Sequence, residues 1–568
     1  MSVLVSAESL TNVLGVVYVH KKTCDGGDLY LTRHGLQHAD LLEIENWYEP
    51  AWFDVHRERL VGTSAVYRVP TKAIDGRSLE LVVKNCRVGE DVPVETRTLI
   101  DFMNAEFNSP WEEFALVMEL REGRYGPPDV SVGTQEPLAI YVPPEKMQIW
   151  QSGRSQEKIN RIKARHPGIE LDILRQYKLV YRWIRGKDAV DALRRLGVEG
   201  EEIIQRLRAM TEKAIRDLEA KGFAVADMKP DHIILREEDL EDVEDAAPGG
   251  AGTRVERVDR IQRLVDEGRY SVIDYELLVR TPSHEEEVST WRRHSYLDDQ
   301  RDRFVPTEVP PHLKAVEILG VPYIAGAAES TGGKLWVVGK NARLFDYFLP
   351  ERWRRTPSWR LSQRSEIHYT FTKDHVHVVW KASRVGERPP GDPSDPRAAK
   401  AIEYGFNSPF EEFAIAHELT RLGIPTVYMR AIYRTGTPKV GLSEDPRRFE
   451  RHRGILDGDG DPVLRPDRDY ITVRGYFNGP DWWVAEQRGA LSRPLDLTRA
   501  LAFGAIRESM YRTLIAVTVD RLRNVGYDGT LLEPNDLLLA LDPRGELLKD
   551  PEGLPEVRIT NFELIHKL

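Results

Sequence analysis

Six short segments of this chain occur twice, in the same order, about 300 residues apart. Leu14-Gly-Val-Val-Tyr-Val19 returns as Leu319-Gly-Val-Pro-Tyr-Ile324, and a glycine pair follows each, Gly26-Gly27 and Gly332-Gly333. Residues 82–89 (VVKNCRVG) match 379–386 (VWKASRVG), and 107–115 (FNSPWEEFA) match 406–414 (FNSPFEEFA). Residues 228–235 (MKPDHIIL) parallel 532–539 (LEPNDLLL), and Asp274-Tyr-Glu-Leu277 parallels Asn561-Phe-Glu-Leu564. Chance similarity does not preserve order, and the period far exceeds that of a solenoid unit, so a whole domain has been duplicated. Val305–Pro311 contains three prolines that interrupt any regular element. The expected organisation is therefore a first domain over 1–305, a linker over 306–312 and a second domain over 313–568.

Composition narrows the class. With 41% hydrophobic and 30% charged residues the chain is globular rather than disordered or fibrous. Two cysteines, Cys24 and Cys86, are too few for a disulfide framework or a structural zinc site. A net charge of −11 argues against a nucleic-acid surface spread over the molecule. The local candidate is Arg352, Arg354, Arg355 and Arg360 with Trp353 and Trp359, expected as a solvated face with aromatic anchors. No stretch reads as a signal peptide or as an apolar run of the ~20 residues that cross a bilayer, so a cytoplasmic protein without a membrane partner is expected.

Each half begins β-rich. Ala65 to Val69 and Leu79 to Val83 read as paired strands. Ser109-Pro110 then opens a helix: serine suits the N-cap, proline the first helical position, and Glu112 and Glu113 the first turn. Leu179 to Trp183 reads as a strand, and a long amphipathic helix runs from about Gly200 to Lys221, closed by Gly222. Ile233-Ile234-Leu235 and Val272-Ile273 read as two more strands. Glu237 to Thr253, acidic then Gly/Ala-rich, and Val385 to Pro396 are expected as surface loops.

Phosphoryl transfer from ATP needs few groups. A lysine neutralises phosphates, a glutamate holds the lysine, acidic or amide ligands hold magnesium, and a carboxylate orients the attacking hydroxyl. The first half supplies a residue for each role. Lys84 ends the apolar strand Leu81-Val82-Val83. Glu113 sits on the following helix, with Glu112 as its competitor. Asp227 and Lys229 lie in the loop before Ile233-Ile234-Leu235. Asp274 ends the apolar Ser271-Val272-Ile273.

In this order the segments resemble those of the protein-kinase superfamily. Residues 81–84 are similar to its lysine strand, 227–235 to its catalytic loop, and 274–276 to its D-F-G segment. The resemblance implies an α+β fold of two tandem bilobal kinase-like domains, each with a β-rich N-lobe carrying one helix and a minimal helical C-lobe. It implies ATP and Mg²⁺ as ligands, with Asp227 as catalytic base, Lys229 approaching the transferred phosphate, Lys84 and Glu113 at the nucleotide, and Asp274 on the metal. Several positions depart from the family. Gly62 is the lone glycine in Val61-Gly-Thr-Ser-Ala-Val66, where a glycine-rich loop belongs. Val225 and Ala226 replace the histidine and arginine before the catalytic aspartate. His232 holds the second metal-ligand position, where an imidazole, softer than an amide oxygen, leaves two readings open: a metal site shifted toward manganese, or a histidine that hydrogen-bonds the loop and touches no metal. Glu276 replaces the D-F-G glycine. No A-P-E segment follows, and the reduced C-lobe is closer to those of the lipopolysaccharide (Kdo) kinases.

In the second half Leu531 stands opposite Asp227, Glu533 opposite Lys229, Asp536 opposite His232 and Asn561 opposite Asp274. Lys381 and Glu412 keep the ion-pair positions. Leucine accepts no proton and asparagine is a poorer magnesium ligand than aspartate, so this half is expected to be a pseudokinase that contacts the first half. The overall expectation is an ATP-dependent phosphotransferase acting on an acceptor the sequence does not identify. The alternatives are AMP transfer and a nucleotide-binding scaffold without turnover.

Overall fold

The computed structural model describes residues 10–60, 65–86, 107–147, 175–244, 253–353, 356–362, 365–439, 441–476, 495–542 and 544–568. The chain divides into two compact units, the first ending at Glu287 and the second running from Val288 to Leu568. The division falls inside a 20-residue helix, Pro282–Arg301, upstream of the proline segment.

The first unit is built on an eight-stranded antiparallel sheet. Its strands are β1 (Leu10–Val13), β2 (Val16–Lys22), β3 (Asp28–Leu31), β4 (Glu58–Arg59), β5 (Val66–Pro70), β6 (Glu80–Asn85), β7 (Pro137–Val142) and β8 (Lys178–Arg182). They lie in the order β1-β2-β3-β7-β8-β6-β5-β4. The second unit repeats this design with β9 (Leu313–Ile318), β10 (Val321–Ala328), β11 (Gly333–Val338), β12 (Ser358–Arg360), β13 (Ile367–Phe371), β14 (His377–Ala382), β15 (Met429–Pro438) and β16 (Arg468–Gly475). Their order, β9-β10-β11-β15-β16-β14-β13-β12, is the same.

The duplicated Leu-Gly pairs make the first hairpin of each sheet. Val13 pairs with Val16 and Ile318 with Val321, leaving two-residue turns. Leu14 (φ 55°) and Gly15 (φ 86°) both take the left-handed conformation, as do Leu319 (φ 50°) and Gly320 (φ 77°). Two positive φ values in succession match the right-handed twist of flanking strands. That a leucine keeps this conformation in both copies ties the repeat to backbone geometry.

Both faces of each sheet are covered, because successive strand residues point to opposite sides. On β6, Leu81 and Val83 join a cluster with Leu41, Ile44, Trp47 and Phe53. Val82 joins the cluster containing Trp111, Phe114 and Val117 of helix α1 (Pro110–Glu122) and Met210 and Ala214 of helix α2 (Gly200–Ala220). In the second unit Val378 and Trp380 pack with Leu344, Phe345 and Trp353. Phe410 and Phe413 of helix α3 (Pro409–Arg421) pack with Trp336 and Ile432. Helix α4 (Glu508–Asn524) contributes Leu514 and Leu522 to a further core.

Short antiparallel pairings recur in matching register, one of them within a four-stranded sheet in the first unit. Phe223 pairs with Arg280 and Ile233 with Val272, as Tyr527 pairs with Lys567 and Leu537 with Ile559.

Two expectations are corrected. Glu237 to Thr253 is not simply a loop: Glu237–Glu244 is helical, and Thr253 caps the helix Arg254–Asp266 through a capping box with Glu256. Leu240 is buried there, Asp239 pairs with Arg269, and three acidic residues favour the helix N-terminus. Nor do Arg352 and Trp353 belong to a solvated face. Arg352 is buried against Asp346 at 2.7 Å, and the buried Trp353 indole donates to the Phe348 carbonyl. Arg360 and Trp359 are exposed, and Arg354 and Arg355 lie outside the described residues.

Candidate functional site

Period-two alternation puts Lys84 on the same side of β6 as Val82, toward α1. The start of α1 decides which glutamate meets it. Ser109 caps the helix, and its Oγ accepts from Glu112 N at 3.2 Å while Glu112 Oε2 accepts from Ser109 N at 2.9 Å. This capping box occupies Glu112, so Glu113 is the residue turned to the lysine. Glu113 Oε1 lies 3.8 Å from Lys84 Nζ and accepts from the Tyr181 hydroxyl at 2.7 Å.

Asp274 approaches from the other side. Ile273 N donates to the His232 carbonyl at 3.0 Å, after which Asp274 adopts φ 67°. Aspartate is among the few residues that tolerate this region. Its Oδ1 accepts from Lys84 Nζ at 2.6 Å and its Oδ2 lies 3.8 Å from His232 Nε2. Glu276 Oε2 is 3.2 Å from Lys84 Nζ. The lysine therefore faces three carboxylates, two of them from the Asp274-Tyr-Glu segment.

The loop before Ile233 carries the other two candidates. Lys229 Nζ donates to Asp227 Oδ2 at 2.6 Å, both side chains partly exposed. A single 3₁₀ turn, Pro230–His232, follows and buries His232, whose Nδ1 has no hydrogen-bond partner among the described residues. Gly62 lies outside the described residues.

Charge coupling links these groups. Burial alone would lower the Lys84 ammonium, but Asp274, Glu113 and Glu276 outweigh it and hold it well above its ordinary value. Burial pushes Glu113 up to about 7, against the pull of Lys84 and Tyr181. Asp274 is held at about 2 because Lys84 and His232 overcome its burial. Lys229 is raised despite burial, first by Asp227 and also by Asp274, which joins the loop to the lysine cluster electrostatically.

Sequence reasoning missed Glu276 as a partner of Lys84, having read it only as a lost glycine. The signal was available, because the same glutamate recurs in the second copy as Glu563. Tyr181 carried no such signal.

The second unit holds the corresponding network. Lys381 Nζ lies 3.1 Å from Glu412 Oε2, 3.0 Å from Glu563 Oε1 and 3.0 Å from Asn561 Oδ1. Asn561 Nδ2 donates to Asp536 Oδ1 at 3.1 Å, and Thr560 N donates to the Asp536 carbonyl at 2.9 Å. The carboxylate held by Asp274 on one side of the first site thus reappears as Asp536 on the other side of the second. Leu531 is buried, and its carbonyl accepts from Arg397 Nη2 at 2.9 Å.

A divalent cation would meet one carboxylate oxygen and one imidazole nitrogen, Asp274 Oδ2 and His232 Nε2. Among the described residues no group of three or more His, Cys, Asp and Glu is arranged to hold a metal by itself. The pair fits a cation whose remaining ligands are phosphate oxygens and water.

Among the described residues no helix is long and apolar enough to cross a membrane. No protein-family model matches the chain, and no curated protein does. Solved structures similar to parts of it include WaaP in complex with acyl carrier protein, at 16% identity and a TM-score of 0.19, covering 41% of this chain and 68% of that one. They also include vaccinia related kinase 3, at 10% identity and a TM-score of 0.18, covering 46% of this chain and about half (51%) of that one. Both TM-scores are under 0.5 and assign no residue a role.

Proposed function

We propose that the first unit is a kinase-like, ATP-dependent phosphotransferase and that the second is a pseudokinase derived from it by duplication. The observation that carries this reading is the convergence of Lys84, Glu113, Asp274 and His232, with Asp227 and Lys229 on the adjoining loop. Each matches a role that phosphoryl transfer requires.

Lys84 would neutralise nucleotide phosphates, with Glu113 orienting it. Asp274 and His232 would hold Mg²⁺ or Mn²⁺, which when bound neutralises charge on the phosphate oxygens. Lys229 now neutralises Asp227. A phosphate entering the site would draw Lys229 away and leave the Asp227 carboxylate to orient the acceptor hydroxyl and take its proton. In the second unit Leu531 removes the base, Glu533 puts a negative charge where Lys229 would meet phosphate, and Asn561 weakens the metal position.

The test is ATP turnover by the full chain with Asp227→Asn and Asp274→Asn. Each is expected to lower turnover by at least ~100-fold. Turnover unchanged in both variants overturns the proposal. Labelling with α- or γ-tagged ATP separates AMP transfer from phosphoryl transfer. Saturable binding without turnover would favour the scaffold reading, to which the Lys229–Asp227 pair lends support because it occupies the base.

A further inference from the structure

We propose that Asn108 is a positioning residue, which locks the turn carrying Asp274 and Glu276 to the helix carrying Glu113 so that the three carboxylates around Lys84 move as one body. This rests on the reading of Lys84, Glu113 and Asp274 given above.

Asn108 immediately precedes the N-cap of α1 and is buried. Its backbone N–H donates to the Glu276 carbonyl at 2.9 Å. Its side-chain amide donates to the carbonyls of Tyr275, at 3.2 Å, and Leu278, at 2.8 Å. Three donors of one residue therefore meet three carbonyls of the turn that follows Asp274. A carboxamide has two N–H groups to give, whereas the same-shaped aspartate would oppose those carbonyls with acceptors alone. Asp274 itself sits at a left-handed φ, a conformation that persists only where the surroundings over-determine it. Asn108 supplies that restraint from the helix side.

The helix is tied a second time near its far end. Glu119 receives Arg280 through Nε at 3.0 Å and Nη2 at 2.8 Å, and Arg280 lies two residues past Leu278. With both ends held, α1 cannot swing away from Lys84 without dragging Asp274 and Glu276.

The second unit keeps both ties. Asn407 donates its amide to the carbonyls of Phe562 and Ile565 at 2.8 Å each, and its N–H to the Glu563 carbonyl at 2.8 Å. Glu418 meets Lys567 at 2.8 Å. The clamp thus serves the fold in both units. Only in the first does it also aim a carboxylate that would hold metal, which makes Asn407 the control.

The experiment uses the full chain with Asn108→Ala, the milder Asn108→Ser, and Asn407→Ala, each checked for native circular dichroism. The first readout is acetylation of Lys84 by N-hydroxysuccinimidyl acetate, followed by peptide mass spectrometry relative to the exposed Lys22, which needs no turnover. The second is the Mg²⁺ concentration for half-maximal ATP turnover. Asn108→Ala is expected to raise Lys84 labelling, and the Mg²⁺ requirement, by roughly tenfold, as loss of buried hydrogen bonds allows. Asn108→Ser should fall between, and Asn407→Ala should leave both at wild-type values. If Asn108→Ala does not fold, Asn108→Ser alone decides. Wild-type Lys84 labelling in a folded Asn108 variant overturns the proposal, and so does an equal rise in Asn407→Ala. A wild-type chain that turns over no ATP defeats the phosphotransfer reading instead, while Lys84 labelling still decides the clamp.

Discussion

Asn561 gives its Nδ2 hydrogen to Asp536 Oδ1 at 3.1 Å while its Oδ1 accepts from Lys381, so a neutral amide separates a carboxylate from an ammonium. Asn561→Asp would place two carboxylates side by side in a buried site. The second unit is expected to lose about 1–3 kcal/mol at pH 8. Burial has already pushed Asp536 up to about 6. A folded acid above its unfolded value binds its proton more tightly, so stability from this group is greatest below about pH 4 and declines as pH rises toward 6. The cost of Asn561→Asp should therefore shrink at pH 5. Urea denaturation at the two pH values, with hydrogen exchange to locate the unfolding unit, measures it.

Lys84→Met should destabilise the first unit by about 3–5 kcal/mol, because Asp274, Glu113 and Glu276 would lose their common cation. The effect should be smaller at pH 5 than at pH 8, since stranded carboxylates escape by taking up protons. A destabilisation that did not change with pH would indicate that lost packing, not charge, dominates.

Glu119 is held at about 2, its burial overcome by hydrogen bonds from His284 and Arg280. A depressed carboxylate contributes stability that is full above its unfolded pKa near 4.5 and disappears as pH falls through 2. Glu119→Gln should cost about 3 kcal/mol at pH 7 and little at pH 2. Its counterpart Glu418 faces a largely exposed Lys567, and Glu418→Gln should cost less than about 1 kcal/mol. Guanidinium titrations of both variants test the contrast.

Leu319 keeps a left-handed φ of 50° with 42% of its surface exposed. Asparagine accepts that conformation more readily and the turn buries little of the leucine. Leu319→Asn is expected to stabilise the second unit by about 1 kcal/mol. Differential scanning calorimetry should show the rise.

The elements with local signals were legible in the sequence. Ser109-Pro110 announced the start of α1, Gly222 the end of α2, and the apolar alternation of Leu79 to Val83 nearly all of β6. What escaped depended on distant partners. Nothing in Glu237-Glu-Asp-Leu240 revealed that Arg269 and a buried Leu240 would hold it helical. Trp353 read as a surface anchor because its burial comes from Phe345 and Phe348 of the 3₁₀ segment Ala342–Phe348, packed against β14. The site candidates Lys84, Glu113, His232 and Asp274 came together, and Ser109-Pro-Trp-Glu112, a capping-box signature legible in the sequence, is what takes Glu112 out of the competition for Lys84.

The move of a carboxylate from Asp274 in one copy to Asp536 in the other has a consequence for how such a protein can diverge. Lys84 meets Glu113, Asp274 and Glu276 with His232 beyond, whereas Lys381 meets Glu412 and Glu563, and Asn561 stands between it and Asp536. A buried ammonium must keep carboxylate partners, but folding is indifferent to which strand end or loop bears a further charge beside them. A duplicated site can therefore keep its buried lysine and glutamate pairs while the charged residue beside them moves from one segment to another.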